Sequence, residues 1–322
     1  MADSGSRTSP IWPALALHLL YIVAGDADPG DAAAVLLLAA PRLTGELVFH
    51  DAPAKDGALY RAWRPWTRGD VEFPCFDKAE RIDLRLGYLR LALPLSGVFA
   101  KLTVLRLCRV RFHGPRDLGD GLSSARCPSL RELRVYSVLG VSNLAIRSES
   151  LASLDLGYVE GLQQLTIVAP MLRKLSVSSC FHGCTWQKSF TLLPDIEELR
   201  LSLGLLTTGH TFGPFVFHLL RIFSSIRKLK LKISEETKAK TILLSGCVCR
   251  QPQNWKTEEL YLNSLQEVKI CQLTGSEREL TFLKLLFDQI CQELLGHYSR
   301  PEICMKIYLY CNGSKVMYEP VG

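Results

Sequence analysis

Apolar residues along this chain recur in a short phrase, L-x-x-L-x-L, instead of in long helical stripes. The clearest copies are LTVLRL (102–107), LRELRV (130–135), LASLDL (151–156), LRKLSV (172–177), IEELRL (196–201), IRKLKL (226–231) and LQEVKI (265–270). Their fourth positions, Leu105, Leu133, Leu154, Leu175, Leu199, Leu229 and Val268, are separated by 28, 21, 21, 24, 30 and 39 residues. In a strand, alternate side chains leave on opposite faces, so the last two apolar positions of each phrase enter one core. A single strand cannot bury that face alone; several stacked copies form a continuous apolar ladder. AERIDL (79–84) is a further copy, with Ile82 and Leu84 competing as its anchor, and PRLTGELVF (41–49) reads as a degenerate first strand. Pro128, Pro170 and Pro194 stand just ahead of three copies, where proline stops the preceding segment and turns the chain.

The intervals are those of a leucine-rich repeat, roughly 20–29 residues per coil, with insertions in the later coils. Three residues beyond the second strand leucine, where Asn or Cys is usual, stand Val110, Val138, Val159 and Cys180. The repeat is therefore divergent. Between full copies lie half-phrases, LAI (144–146) and LTI (165–167), so that anchors interleave at 133, 144, 154, 165 and 175. They alternate over short runs and lack helical spacing, which predicts coils with a short strand on both faces. FVFHLLRIF (215–223) is long and apolar enough for a helix on the back of the solenoid.

The run Ile11 to Ala24 predicts a helix packed on the domain end, and Asp31-Ala32-Ala33-Ala34 the start of a second short helix. At the other end, Leu265-Val268-Ile270 forms a strand and Thr274-Gly275 turns the chain. Ser276-Glu277-Arg278-Glu279 then reads as a capping box. Leu280, Leu283, Phe287, Ile290 and Leu294 follow at helical spacing, and MKIYLY (305–310) supplies a further strand. The expected fold is α/β: a leucine-rich-repeat solenoid (41–245) after a helical N-terminal segment (1–40), closed by a strand-helix cap (246–322).

With 48% hydrophobic and 22% charged residues, the 322-residue chain has the composition of a folded protein, and its net charge of +6 permits an acidic partner without demanding nucleic acid. Eleven cysteines, odd in number and irregular in spacing, fit reduced intracellular thiols better than a disulfide framework. A cleaved leader ending at Val23-Ala24-Gly25 is the alternative, and would make the chain a secreted or surface receptor. No segment reaches transmembrane length, so no membrane role is expected. CFHGC (180–184) offers two thiols and His182, but structural zinc takes four ligands and no second cluster follows at standard spacing; CVC (247–249) lies far along the chain. Phosphate-loop and hydrolase motifs are missing, and seven scattered histidines lack a nucleophile context. Neither enzyme activity nor a cofactor is expected.

LPDIEELRLSL, IRKLKLKI and above all CVCRQPQNWKTEELYLNSLQEVKICQLTGSERELTFLKLLFD (247–288) resemble the plant F-box proteins with leucine-rich repeats and an FBD region. The resemblance covers most of residues 30–295 and is most specific at the C-terminus. It implies a non-enzymatic substrate receptor of an SCF-type ubiquitin ligase. The L-P-[DE]-[DE]-[LIV]-x-x-x-I opening of the F-box is not found, so the resemblance does not extend to a Skp-type adaptor contact, and an orphan fragment without ligase function is a further alternative.

In each L-x-L strand the middle residue projects onto the concave face, where repeat proteins generally bind. That slot reads Arg106, Arg134, Asp155, Ser176, Arg200, Lys230 and Lys269, five of seven basic; the next outward position adds Tyr136 and Lys232. Guanidinium and ammonium groups along such a wall suit an acidic or phosphorylated peptide. Apart from Tyr136, aromatic residues for base stacking are missing, which argues against nucleic acid. Basic residues on exposed strands also discourage edge association, a role that needs no partner.

Overall fold

The computed structural model describes residues 16–25, 27–51, 69–94, 96–112, 118–159, 161–178, 180, 190–191, 195–202, 212–233, 260, 262, 264–272, 277–296, 306–311 and 314–318. Its leucine phrases lie side by side in one twelve-stranded sheet. In spatial order the strands are β1 (Leu17–Ala24), β2 (Leu43–Asp51), β4 (Arg81–Arg85), β6 (Val104–Cys108), β7 (Glu132–Val138), β9 (Ser153–Val159) and β11 (Lys174–Ser178). There follow β13 (Glu198–Ser202), β14 (Lys228–Lys232), β15 (Glu267–Cys271), β16 (Lys306–Cys311) and β17 (Ser314–Tyr318). Neighbours pair in parallel until β16 and β17, which form an antiparallel hairpin. The expected solenoid is the fold.

Register makes the coils equivalent. Ile82 pairs with Leu105, which pairs with Leu133, and the ladder runs on through Leu154, Leu175, Leu199, Leu229 and Val268. Ile82, not Leu84, is therefore the anchor of its coil. From β4 through β14, just ahead of the strand, one carbonyl receives two successive N–H groups of the next coil. Glu80 O takes Thr103 and Val104, Thr103 O takes Arg131 and Glu132, and Arg131 O takes Ala152 and Ser153. The same forked contact recurs at Ala152, Arg173, Glu197 and Arg227. Backbone donors that would otherwise be orphaned at the strand entrance are thus satisfied coil by coil.

A second device acts at the strand exit. Arg109, Ser137 and Tyr158 adopt φ of 51°, 52° and 53°. A left-handed residue there shifts the alternation by one, so Val110, Val138 and Val159 turn inward, each 0% exposed. Cys180 fills the equivalent slot of the next coil and is also buried. The ladder position that often holds asparagine is thereby completed by apolar side chains.

On the back, β8 (Asn143–Arg147), β10 (Gln164–Val168) and β12 (Phe190–Thr191) form a separate parallel sheet. Leu144, Ile146, Leu165 and Ile167 project from it into the same core as the front strands. The half-phrases are strands, as their alternation requires, and the stretch 164–168 holds no helix. β3 (Asp70–Glu72) and β5 (Arg90–Ala92) make a smaller pair in earlier coils, and α2 (Leu118–Gly121) abuts β8. α3 (Phe212–Ile222) buries Val216, Phe217, Leu219 and Leu220, matching the helix expected there.

The N-terminal expectation needs correction. Residues 17–24 of the Ile11–Ala24 run are strand β1, not a helix, paired with β2 in a register that sets Tyr21 beside Val48. Short apolar runs are ambiguous by periodicity, and the open edge of β2 decides in favour of a strand. β2 is consequently the second strand of the ladder, not the first. The second helix, expected to start at Asp31-Ala32-Ala33-Ala34, is present as α1 (Pro29–Ala39), where Asp28 caps it by accepting from Gly30 N at 2.8 Å and Asp31 N at 3.3 Å. Toward the other end, α4 (Glu277–Gly296) buries Phe282, Leu283 and Leu286, and the Phe282 ring meets Phe217 edge-on at 5.9 Å. Ser276 and the side chains of Leu280, Ile290 and Leu294 lie outside the described residues. Within MKIYLY, β16 begins at Lys306 and continues the sheet.

Candidate partner-binding face

The outward residues of the long sheet fall into three rows. The middle row runs Asp83, Arg106, Arg134, Asp155, Ser176, Arg200, Lys230 and Lys269, each paired in register with the next. All seven middle-slot residues named from the sequence therefore stand in one line. Tyr136 and Lys232 belong to the row above, with Gly157, Ser178 and Ser202 between them. The row below runs Val104, Glu132, Ser153, Lys174, Glu198, Lys228 and Glu267.

That lower row changes the electrostatics of the wall. Glu132 Oε1 forms an ion pair with Arg134 Nε at 2.7 Å and accepts from Arg106 NH2, one strand away, at 3.3 Å. Glu198 Oε1 accepts from Arg200 Nε at 2.8 Å and from Lys230 Nζ, one strand away, at 2.7 Å. Lys228 stands 3.8 Å from Glu267. Asp83 gathers His50 at 3.5 Å, Arg85 at 3.6 Å and Arg106 at 3.9 Å. The basic stripe is thus a set of clusters, each built around a carboxylate. Asp83, Glu132, Glu198 and Glu267 were missed as members; Asp83 occupies the middle slot of its own strand, and the other three stand two positions before that slot, a signal readable only once the register is known.

Glu198 is the most embedded of these acids, its side chain 8% exposed. Burial by itself raises its pKa, but the hydrogen bonds and charges of Arg200 and Lys230 outweigh burial and hold it at about 2. It is ionised throughout the neutral range and fixes both cations.

The centre of the wall is different. Tyr136 lies across Gly157 and gives its hydroxyl proton to Asp155 Oδ1 at 2.8 Å, while Ser178 bonds the same phenol. Burial, then the Asp155 bond and charge, push the phenol well above its ordinary pKa. It is a fixed neutral donor. Around it the middle strands present short side chains, Ser153, Ser176 and Ser178, between the taller arginines of β7 and β13.

Of CFHGC, only Cys180 is among the described residues. Burial pushes its thiol up to about 12, and its sulfur donates to Ser178 O at 3.3 Å, so it sits as a packed side chain in the ladder. His182, Cys184 and CVC (247–249) lie outside the described residues. Among the described residues no helix is long and apolar enough to cross a membrane.

Comparison with known proteins gives one relative. An Arabidopsis thaliana protein described as an F-box/FBD/LRR-repeat protein is 27% identical over 152 residues, 47% of this chain and 30% of that protein. The chain thus spans under a third of its relative's length. No family model matches, and no solved structure matches. Coil geometry and sequence likeness agree: this chain is a leucine-rich-repeat solenoid similar to the plant F-box/FBD/LRR-repeat proteins.

Proposed function

We propose that the chain is a non-enzymatic interaction scaffold that captures a protein partner, through an acidic or phosphorylated segment, on the open face of its long sheet. The observation that carries this reading is the unbroken line Arg106, Arg134, Asp155, Ser176, Arg200, Lys230 and Lys269 across seven adjacent strands, flanked by Tyr136 and Lys232. A side-chain row in register over many coils is what a repeat protein offers a partner. The resemblance to F-box/FBD/LRR-repeat proteins supports the further step that the captured partner is handed to a ubiquitin ligase. In that arrangement residues 246–322 act as a cap, and an F-box supplied elsewhere makes the Skp-type adaptor contact. Pairing of β1 with β2 supports an intracellular protein over a surface receptor cleaved at Gly25, since that cut removes the first strand of the ladder.

The test is affinity capture from plant cell extract with wild-type protein and with the charge-reversed pair Arg200→Glu and Lys230→Glu, run with and without added Skp-type adaptor. Loss of captured proteins in the variant is expected at a temperature below its melting point, which falls because Glu198 loses both cations. The milder Arg200→Gln variant is run beside it so that lost capture is separated from unfolding. An unchanged capture set removes the open face as the binding wall; absence of adaptor and cullin removes the ligase step alone.

A further inference from the structure

We infer that the middle of the open face is shaped for an extended segment bearing two anionic groups four residues apart, with a neutral or cationic residue midway; this rests on the reading of that face as the partner wall. The two charge clusters beside the centre are mirror images. On one side Arg106 and Arg134 share Glu132; on the other Arg200 and Lys230 share Glu198. In each, the arginine nearer the centre is held through Nε by the glutamate two residues before it. Its terminal NH1 and NH2 make no hydrogen bond among the described residues, and the side chains are 45% and 49% exposed. A guanidinium fixed through Nε with its other edge open is pre-oriented to receive a carboxylate or phosphate in fork geometry. Each glutamate faces two cations. Although Arg106 also reaches Asp83 at 3.9 Å, the inner arginines Arg134 and Arg200 each pair with a single carboxylate, itself shared with the outer cation, so both flanks keep positive charge for an incoming anion.

Arg134 and Arg200 are three strands apart, β7 to β9 to β11 to β13. At roughly 4.8 Å per step this places them about 14 Å apart. An extended chain advances about 3.3–3.4 Å per residue, so about four residues span the gap. Positions i, i+2 and i+4 of such a segment face the same way, which aims both anions and the central residue at the sheet. Asp155 and Ser176 stand midway between the arginines, and Asp155 already accepts from Tyr136. A carboxylate at i+2 meets repulsion there; a lysine, serine or asparagine finds an acceptor. A nucleic-acid backbone, with phosphate at every step, fits this alternation poorly because Glu132, Asp155 and Glu198 interrupt it. The spacing of charge, more than its total, sets the partner.

The experiment uses the full chain and fluorescein-labelled peptides of Gly and Ser carrying two phosphoserines two, three, four, five or six positions apart, read by anisotropy. Binding is expected to peak at a separation of four. Arg134→Gln and Arg200→Gln are each expected to weaken that peptide by roughly tenfold and to flatten the spacing profile. Arg134→Lys, which keeps charge but loses the fork, is expected to keep binding while blunting the optimum. Asp155→Asn is expected to admit a third phosphoserine midway. Equal affinity at every spacing, or an optimum untouched in the Arg134→Gln/Arg200→Gln double variant, overturns the inference. So does tighter binding of a single-stranded oligothymidylate than of the four-spaced peptide. Spacing-independent binding that Arg200→Gln still weakens sinks this inference and leaves the partner wall standing. If no phosphopeptide binds and charge reversal leaves partner capture unchanged, both readings fail together.

Discussion

Gly157 lies beneath the Tyr136 ring, and replacing it with alanine tests whether that ring organises the centre of the wall. A β-carbon there stands 2.4 Å from Tyr136 Cε1, 2.6 Å from Cδ1 and 2.9 Å from Cζ. Ordinary carbon contacts are about 3.5–4.0 Å, so the ring must retreat by about 1 Å or swing off the sheet. Swinging off loses the 2.8 Å bond to Asp155, an interaction worth about 1 kcal/mol. Crowding at packed sites costs typically 1–3 kcal/mol. Against this, alanine restricts the unfolded chain and returns about 0.4–1 kcal/mol, because Gly157 is not among the positive-φ residues and accepts a side chain without backbone strain. Gly157→Ala is therefore expected to destabilise by about 1–2 kcal/mol. With the ring removed first, as in Tyr136→Ala, the same substitution becomes neutral or mildly stabilising. Urea unfolding of the wild type, both single variants and the double variant closes the cycle, with an expected coupling of about 2 kcal/mol. An equal cost for Gly157→Ala with and without the ring refutes the reasoning.

Glu198, held at about 2 against an ordinary 4.5, contributes stability that is present above pH 4.5 and lost as pH falls toward 2. Since Arg200 and Lys230 are partly exposed, the contribution is expected to be about 1–2 kcal/mol, and Glu198→Gln should flatten the acid limb of a stability-versus-pH curve measured by urea unfolding. At Tyr158, where φ is 53°, valine is expected to cost about 1–2 kcal/mol while glycine is tolerated; thermal melts separate the two. β1 is an edge strand whose Leu19, Tyr21 and Val23 are 57%, 61% and 63% exposed. Tyr21→Lys is expected to lower concentration-dependent association in sedimentation without changing the melting temperature.

Much of the fold is written in the leucine phrases. Their spacing names the front strands, the half-phrases name the back strands, and the apolar run before Phe223 names α3, because each depends on a local period of two or of three to four. Residues 17–24 defeated that logic. LHLLYIVA is apolar at nearly every position, with only His18 and Tyr21 carrying polar groups, so its period is silent, and β2's unpaired edge chose between helix and strand. Ile82 and Leu84 posed a similar tie, broken by the pairing of Ile82 with Leu105. The candidate face was half legible. Its basic members could be read off one slot, but Glu132 and Glu198 act across strands, and which cation each carboxylate shares follows from register.

By itself, then, the sequence determined that this chain stacks coils and which residues point into the core, since burying leucine and valine is a local, repeating demand. Only the tertiary structure decided what those coils present outward. A row of basic residues became two mirrored clusters around Glu132 and Glu198 with Tyr136, Gly157 and Asp155 between them. The physical reason is that charge pairing reaches across about 5 Å between neighbouring strands, whereas the residues it joins lie some twenty to thirty positions apart along the chain.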